Sequence, residues 1–333
     1  MSQKQRSRCK EIKRGYTVTT IIAECCQNHN GDKSILKDMI WQAAESGADI
    51  VKMQSIHTDD LTHREQFDDG IVENGETKVI KRPYQAEFER LDSMNLSEDD
   101  HRWFIEEAKK AGIKPMTTVF SQRQVPFLAS LEWDAVKVAS YDCASYPLLK
   151  KLAEKFKHLY VSTGATFDEE IQKTANLLKN ISFSFLHCVT IYPTPLDELC
   201  LKRIDWLRQF TSSVGFGDHS LIERDGLKAS IAAIYFGADV VERHFTVLPT
   251  DKTKDGPVSV TPKQLKDLVK FANTDKNELK EYIEKNIPEY NEMLGHPNRE
   301  LSHNELLNRD YYRGRFATHL QNGKILYNWE EVN

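Results

Sequence analysis

No uninterrupted apolar run in the 333 residues approaches the ~18 that a membrane-spanning helix needs. There is no basic excess either. Forty-five Lys+Arg stand against 50 Asp+Glu, for a formal net charge of −5 and a pI near 6.2. That balance speaks against nucleic-acid binding, which usually needs a basic patch and a high pI, but leaves a local anion site open. The six cysteines (Cys9, Cys25, Cys26, Cys143, Cys188 and Cys200) contain no CxxC and are too sparse for a disulfide scaffold, so a reducing, cytoplasmic compartment is expected. The stretch 1–15 is basic but lacks the apolar h-region of a signal peptide. No GxGxxG follows the first apolar run, which lowers the expectation of a dinucleotide-binding sheet. Internal repeats and low-complexity tracts are missing. The 40% hydrophobic content is still enough for a sizeable core.

What is present is an alternation. Short apolar runs at 17–24, 49–54, 113–119, 135–140, 159–164, 183–189, 213–218 and 239–246 read as strands buried on both faces. Amphipathic stretches between them, at 34–45, 97–111, 147–156, 167–178 and 224–236, read as helices. Three of these end on Gly47, Gly112 and Gly237 just before a strand, as left-handed helix caps do. Eight such units predict an α/β fold, a (β/α)8 TIM barrel over 1–275, with a doubly wound open sheet as the alternative. The segment 64–97 is too long for an ordinary βα loop, and such loops are usually functional. Residues 276–300 read as an irregular linker with one helical stretch, and 301–333 as a short tail with a strand or hairpin.

In such a barrel the functional groups collect at the C-terminal strand ends. Every strand end here is polar. Glu24 closes the first strand. Lys52 and Gln54 share a face of the second, and Thr118 ends the third. Lys137, Ser140 and Asp142 follow along the fourth, and Ser162 ends the fifth. Thr190 and Tyr192 follow the sixth, His219 the seventh, and Glu242 and His244 lie on the eighth. Two lysines among hydroxyls suit a small polyanion such as a phosphate ester or carboxylate. Two histidines on adjacent strands could meet at a divalent metal, with Glu24 as a general base nearby. Taken singly, a strand-end Lys is usually solvated or paired, and Ser162 or Ser220 could simply cap a helix. The joint occurrence at one end of all eight strands favours a site. Cys25, Cys26 and Cys188 read as small buried apolar residues, and His187 as structural.

These residues resemble the sialic acid synthase (N-acetylneuraminate synthase) family. The likeness rests on Ile22-Ala23-Glu24, Asn28-His29-Asn30-Gly31, Val51-Lys52-Met53-Gln54, Lys137-Val138-Ala139-Ser140 and Ser162-Thr163-Gly164. It continues through His187-Cys188, Tyr192-Pro193-Thr194-Pro195, Gly215-Phe216-Gly217-Asp218-His219-Ser220 and Glu242-Arg243-His244-Phe245-Thr246, in order over residues 17–275. The resemblance implies condensation of phosphoenolpyruvate with an N-acetylmannosamine-like aldose to a nine-carbon 3-deoxy-2-keto sugar acid and phosphate. It implies a divalent metal, typically Mn2+ with Mg2+ or Co2+ as options, on His219 and His244. It assigns Glu24 as base with Asp142 as a second catalytic carboxylate, Lys52, Thr118, Lys137, Ser140 and Ser162 to phosphoenolpyruvate, and Thr190 to the substrate shell. Gln54 and Tyr192 fall on the sugar side, and a homodimer is implied.

Departures from the family pattern are Asp142 for Glu, Thr190 for Asn, Gly217 for Ser and Arg243 for Lys. Asp255-Gly256-Pro257-Val258-Ser259 stands in place of Gly-Pro-Asp-His. The resemblance further implies a C-terminal antifreeze-like domain that lends an Arg to the partner's active site; 301–333 is expected to be its remnant, with Arg313 or Arg315 as the candidate equivalent near the sugar. A non-standard acceptor, whether a diacetamido sugar or a plain hexose, is consistent with these changes. Two other readings compete. One is a Schiff-base aldolase using Lys137, which requires a desolvated lysine. The other is a degenerate barrel that binds sugar acids or partners without catalysis.

Overall fold

The computed structural model describes residues 18–331; Cys9 and the first residue of the first expected strand lie outside them. Eight parallel strands form a closed barrel. They are β1 (Thr20–Cys26), β2 (Ile50–Ser55), β3 (Lys114–Val119), β4 (Ala135–Val138), β5 (His158–Ser162), β6 (Ser182–His187), β7 (Val214–Asp218) and β8 (Val240–His244). Each strand pairs with the next, and β8 closes on β1. All eight expected strands are present, and the fold is a (β/α)8 barrel.

Alternation along the strands explains both faces. Ile21, Ala23, Val51, Met53, Val136, Val138, Leu159, Val161 and Val241 point outward into one large core with helix residues such as Leu36, Met39, Ile40, Phe104, Leu148 and Leu152. Ile22, Ile50, Met116, Ala135 and Val240 point inward and form a separate apolar cluster with Tyr160. Two residues further along each of those strands stand Glu24, Lys52, Thr118, Lys137, Glu242 and Ser162. A period of two therefore lays a polar ring directly above an apolar floor. The registers agree: Glu24 lies beside both His244 and Lys52, Gln54 beside Thr118, and Thr118 beside Lys137.

The helices form where their caps are. Lys33–Ser46 opens on Asp32, whose side chain accepts from the Ser34 and Ile35 amides, and ends on Gly47 at φ 89°. Glu98–Ala111 opens on a Ser97–Asp100 capping box and ends on Gly112 at φ 77°.

Three segments depart from the sequence reading. The long segment after β2 folds into a short helix Gln66–Asp69, an exposed hairpin Ile71–Glu73/Glu76–Val79 and a helix Tyr84–Asp92. The stretch 276–300 carries two helices, Lys276–Asn286 and Tyr290–Leu294, and buries Leu279, Ile283, Ile287 and Met293 in the main core. Its i, i+4, i+8 spacing is diluted by charged residues, which is why it resembles a linker. The tail starts with a helix, His303–Tyr312, opened by a Ser302–Glu305 capping box, before the hairpin Ala317–His319/Ile325–Tyr327.

That tail lies across the C-terminal face of its own barrel. Thr62 Oγ1 donates to the Gly314 carbonyl at 2.6 Å, and Asn308 Nδ2 to the Thr190 carbonyl at 2.8 Å. Asn328 Nδ2 donates to the Phe120 carbonyl at 2.7 Å, and Arg309 reaches the Ala165 carbonyl and Glu170 at 2.6 Å each. Phe316 joins Ile56, Leu61 and Leu91 in a small core of its own. Among the described residues no helix is long and apolar enough to cross a membrane.

Candidate active site

A cavity of about 410 Å³ opens between the C-terminal strand ends and the tail. Glu24, Lys52, Gln54, Thr118, Lys137, Ser140, Ser162, Tyr192, His219, His244 and Arg315 all line it. At its base the charges are paired. Lys52 Nζ contacts the Glu24 carboxylate and donates to Thr118 Oγ1 at 2.9 Å. Lys137 Nζ donates to both oxygens of Glu242 at 2.9 Å. Burial works to raise Glu242, but Lys137 and Lys52 hold it well below the usual carboxylate range. Glu242 faces inward because it lies two residues before His244. Its partnership with Lys137 follows only from barrel closure, which brings β4 and β8 across from one another.

The two histidines stand together, with ring centroids 5.4 Å apart. Burial, helped by the neighbouring His244, takes His219 down to about 3, and burial also lowers His244. Both imidazoles are therefore neutral at pH 7, the form a metal requires. Their surroundings differ. His219 Nε2 lies 3.1 Å from the Tyr192 hydroxyl, and its Nδ1 faces the Val189 carbonyl at 3.3 Å. His244 Nδ1 is buried without a hydrogen-bond partner, 4.0 Å from Asp255 Oδ2. Cys26 Sγ donates to that same oxygen at 2.8 Å. Cys26, His244 and Asp255 bring their ligand atoms within 4.8 Å of one another, the one such group among the described residues. An orphaned imidazole nitrogen beside a thiol and a carboxylate is a donor set that fits a divalent cation. His244 is common to this group and to the expected ligand pair, and His219 stands beside it with its Nδ1 facing the Val189 carbonyl, as the second nitrogen of a ligating imidazole commonly does. Cys26 is a wall of the cavity, not apolar filling.

A fully buried ion pair ties together the two strand ends that carry the imidazoles. Arg243, pointing out of the barrel beside His244, pairs with Asp218, the residue before His219. Arg243 also donates to Ser220 Oγ at 3.0 Å and the Ser220 carbonyl at 2.9 Å.

The mouth is basic. Arg82, Arg90, Lys254 and Arg315 line it, so six cationic side chains face three carboxylates (Glu24, Glu242 and Asp255) around the whole cavity. Arg315 reaches it from the tail of the same chain and pairs with Glu87 on the helix Tyr84–Asp92. Burial pushes Glu87 up, but Arg315, with Arg90 and Lys254, holds it at about 2. Arg82 and Lys254 escaped the sequence reading because they lie in loops, and Arg90 because it lies on the short inserted helix Tyr84–Asp92; in none of these does a strand alternation mark an inward face. The length of the segment 64–97 was the available signal for Arg82 and Arg90.

Two expected site residues do not line the cavity. Asp142, expected to be catalytic, ends the turn Ser140–Asp142, which keeps Ser140 and Tyr141 on the wall and rotates Asp142 behind it. Its Oδ1 accepts from Ser145 Oγ at 2.8 Å and Asn328 Nδ2 at 3.0 Å, so it latches the tail. Thr190, expected to bind substrate, is buried behind Gly164; a Cβ at Gly164 would meet Thr190 Cγ2 at 2.6 Å.

Burial raises Asp142 to about 6 against its Ser145 and Asn328 hydrogen bonds. A carboxyl whose folded pKa lies above its unfolded value contributes stability below the unfolded pKa, and loses it as pH rises through the folded pKa. Between about pH 4 and 6, stability relative to Asp142→Asn should therefore fall by on the order of 2 kcal/mol. Denaturant midpoints of both proteins across that range test this, and turnover of the variant should stay within ~3-fold of wild type. A ~10²-fold loss of turnover would return Asp142 to a catalytic role.

Comparison with known proteins places this geometry in a family. The profile of the NeuB family matches residues 39–284. The N,N'-diacetyllegionaminic acid synthase of Legionella pneumophila is 34% identical over 269 residues, covering 77% of this chain and 72% of that protein. The pseudaminic acid synthase of Campylobacter jejuni is 30% identical over 253 residues, covering 75% and 71%. The crystal structure of the N-acetylneuraminic acid synthetase from Leptospira borgpetersenii superposes with a TM-score of 0.67 at 24% identity, over 90% of this chain and 95% of that one, a likeness of fold. With its closed barrel and its strand-end ring, the chain is an enzyme and belongs to the NeuB family of synthases.

Proposed function

We propose that this enzyme condenses phosphoenolpyruvate with the open-chain aldehyde of an N-acetylmannosamine-like aldose, giving a nine-carbon 3-deoxy-2-keto sugar acid and phosphate. The observation that carries this reading is the cavity itself: six cations over three carboxylates, with hydroxyls at its base and neutral imidazoles at one side. Phosphoenolpyruvate brings a phosphate and a carboxylate, and a surplus of fixed cations accommodates both. Lys52, Thr118, Lys137, Ser140 and Ser162 form the inner end and hold that anion. Gln54, Tyr192 and Arg315 stand further out, on the acceptor side.

The reaction forms a bond from C3 of phosphoenolpyruvate to the aldehyde carbon, and C2 then takes up water and releases phosphate. His219 and His244, with Asp255 beside them, would hold a divalent ion, which when bound would supply Lewis-acid polarisation of the aldehyde oxygen. Glu24 accepts the proton of the attacking water. Its carboxylate is fixed for this by the Cys26 amide at 2.5 Å and by Lys52. Tail and mouth loops exclude bulk water from the base of the cavity.

Lys137 argues against a Schiff-base aldolase. Its Nζ is bound by both Glu242 oxygens, the setting of an ammonium and not of a free amine nucleophile. The test is phosphate release from phosphoenolpyruvate with a panel of acceptors. Release that requires both an aldose and a divalent metal supports the reading, and release with no aldose dependence contradicts it.

Arg315→Ala should raise the acceptor KM by ~10-fold while moving the phosphoenolpyruvate KM by less than ~3-fold, because Arg315 stands at the mouth and not at the base. Equal changes in both would place Arg315 on the anion.

A further inference from the structure

We propose that Cys26 is a metal ligand, so that Cys26, His244 and Asp255 form a thiolate centre suited to Zn2+, Fe2+ or Co2+ in preference to Mn2+ or Mg2+. This rests on the reading of the site as metal-dependent and adds the ligand that sets which metal it takes.

The backbone first shows that Cys26 is placed, not merely packed. The β1–β2 register shifts between Glu24 and Cys26, and Cys26 takes a positive φ of 48°. A left-handed backbone is disfavoured for a residue with a Cβ, and such strain concentrates at functional sites. A shift of this kind re-aims the side chain that follows it. Here it turns Sγ off the sheet and onto the cavity wall, beside His244 and Asp255.

The chemistry then converges. Sγ, Asp255 Oδ2 and His244 Nδ1 come from β1, from the loop after β8 and from β8. The Sγ–Oδ2 separation is 2.8 Å, and the Nδ1–Oδ2 separation 4.0 Å. Bonds of ~2.0–2.3 Å in a tetrahedral site put neighbouring ligand atoms ~3.3–3.8 Å apart, between those two values. His244 Nδ1 is buried with no hydrogen-bond partner, an observation that points to a ligand independently of the cysteine. Asp255 is held where it is needed: a Cβ on Gly256 would come 1.8 Å from the Thr250 carbonyl, so the loop closes tightly just after it.

The balance is simple. The cation accepts lone pairs from His244 Nδ1 and the Asp255 carboxylate. A metal–sulfur bond replaces the Sγ–H bond of Cys26, and one proton leaves to solvent for each ion bound. Thiolate is a soft donor, and along the divalent series Mn2+ binds such sites least tightly.

The test uses the full chain, freed of metal and without substrates, titrated with Co2+. An intense thiolate-to-cobalt charge-transfer absorption in the near ultraviolet should appear and saturate at one ion per chain. It should vanish in Cys26→Ser and persist in Cys188→Ser, which removes the other cavity-lining thiol. Competition should show Cys26→Ser losing ~10²-fold in Zn2+ affinity but less than ~3-fold in Mn2+ affinity. A wild-type cobalt complex without that absorption overturns the proposal and needs no variant to be folded; so does an absorption that survives Cys26→Ser. Neither result depends on turnover. An enzyme that condenses phosphoenolpyruvate yet shows no such band refutes the thiolate alone, and a band in a protein that releases no phosphate refutes only the proposed reaction.

Discussion

Replacing Glu24 by Gln is expected to lower kcat by ~10²-fold or more while leaving the phosphoenolpyruvate KM within ~3-fold of wild type. Glu24 is 1% exposed, lies two residues before the end of β1, and sits between Lys52 on β2 and His244 on β8. Gln keeps the shape and can still accept from the Cys26 amide, but it cannot take a proton from water. The loss of a negative charge also leaves Lys52 less neutralised, so anion affinity should hold or improve. Lys137→Ala is the counterpart. It strips a cation from the inner end and should mainly raise the phosphoenolpyruvate KM. Steady-state kinetics of both variants at saturating metal separate the roles. A Glu24→Gln enzyme with normal kcat and only a raised KM would make Glu24 an anchor and not a base.

The second large effect concerns His244. His244→Ala removes the unpartnered nitrogen beside Cys26 and Asp255 and should cut metal-dependent turnover by ~10³-fold, with bound metal lost in proportion. His219→Ala should cost a comparable factor, because it removes the second imidazole of the pair, whose Nδ1 the Val189 carbonyl orients. Turnover and metal content measured together, by elemental analysis of dialysed protein, check both. A His219→Ala enzyme with wild-type turnover and metal content would remove His219 from the pair.

The barrel was legible because its signals are local. Short β-branched runs, a period of two inside them and a glycine at the end of the helix before the next strand each act within a few residues. The polar ring was legible for the same reason, since Glu24, Lys52, Thr118, Lys137 and Ser162 occupy strand ends that any closed barrel turns inward. What the sequence hid depends on backbone direction or on contacts distant in the chain. Nothing in the identity of Cys26 announces a register shift and a positive φ. Asp142 sits two residues after Ser140, but the turn there breaks the alternation that would have carried it inward. The salt bridge of Lys137 spans from β4 to β8. The tail helix His303–Tyr312 had a visible capping box at Ser302 and Glu305, yet its apolar residues read equally well as those of a strand.

The central claim is that this cavity joins C3 of phosphoenolpyruvate to the aldehyde carbon of an aldose. It is tested most directly by incubating the enzyme, a divalent metal and an N-acetylmannosamine-type acceptor with phosphoenolpyruvate carrying carbon-13 at C3, and following the label by NMR. The account predicts that the label appears in a methylene group bonded to the former aldehyde carbon, in step with phosphate release, and that Glu24→Gln suppresses both. Label recovered in the methyl group of pyruvate, or phosphate released with no labelled methylene formed, would contradict it.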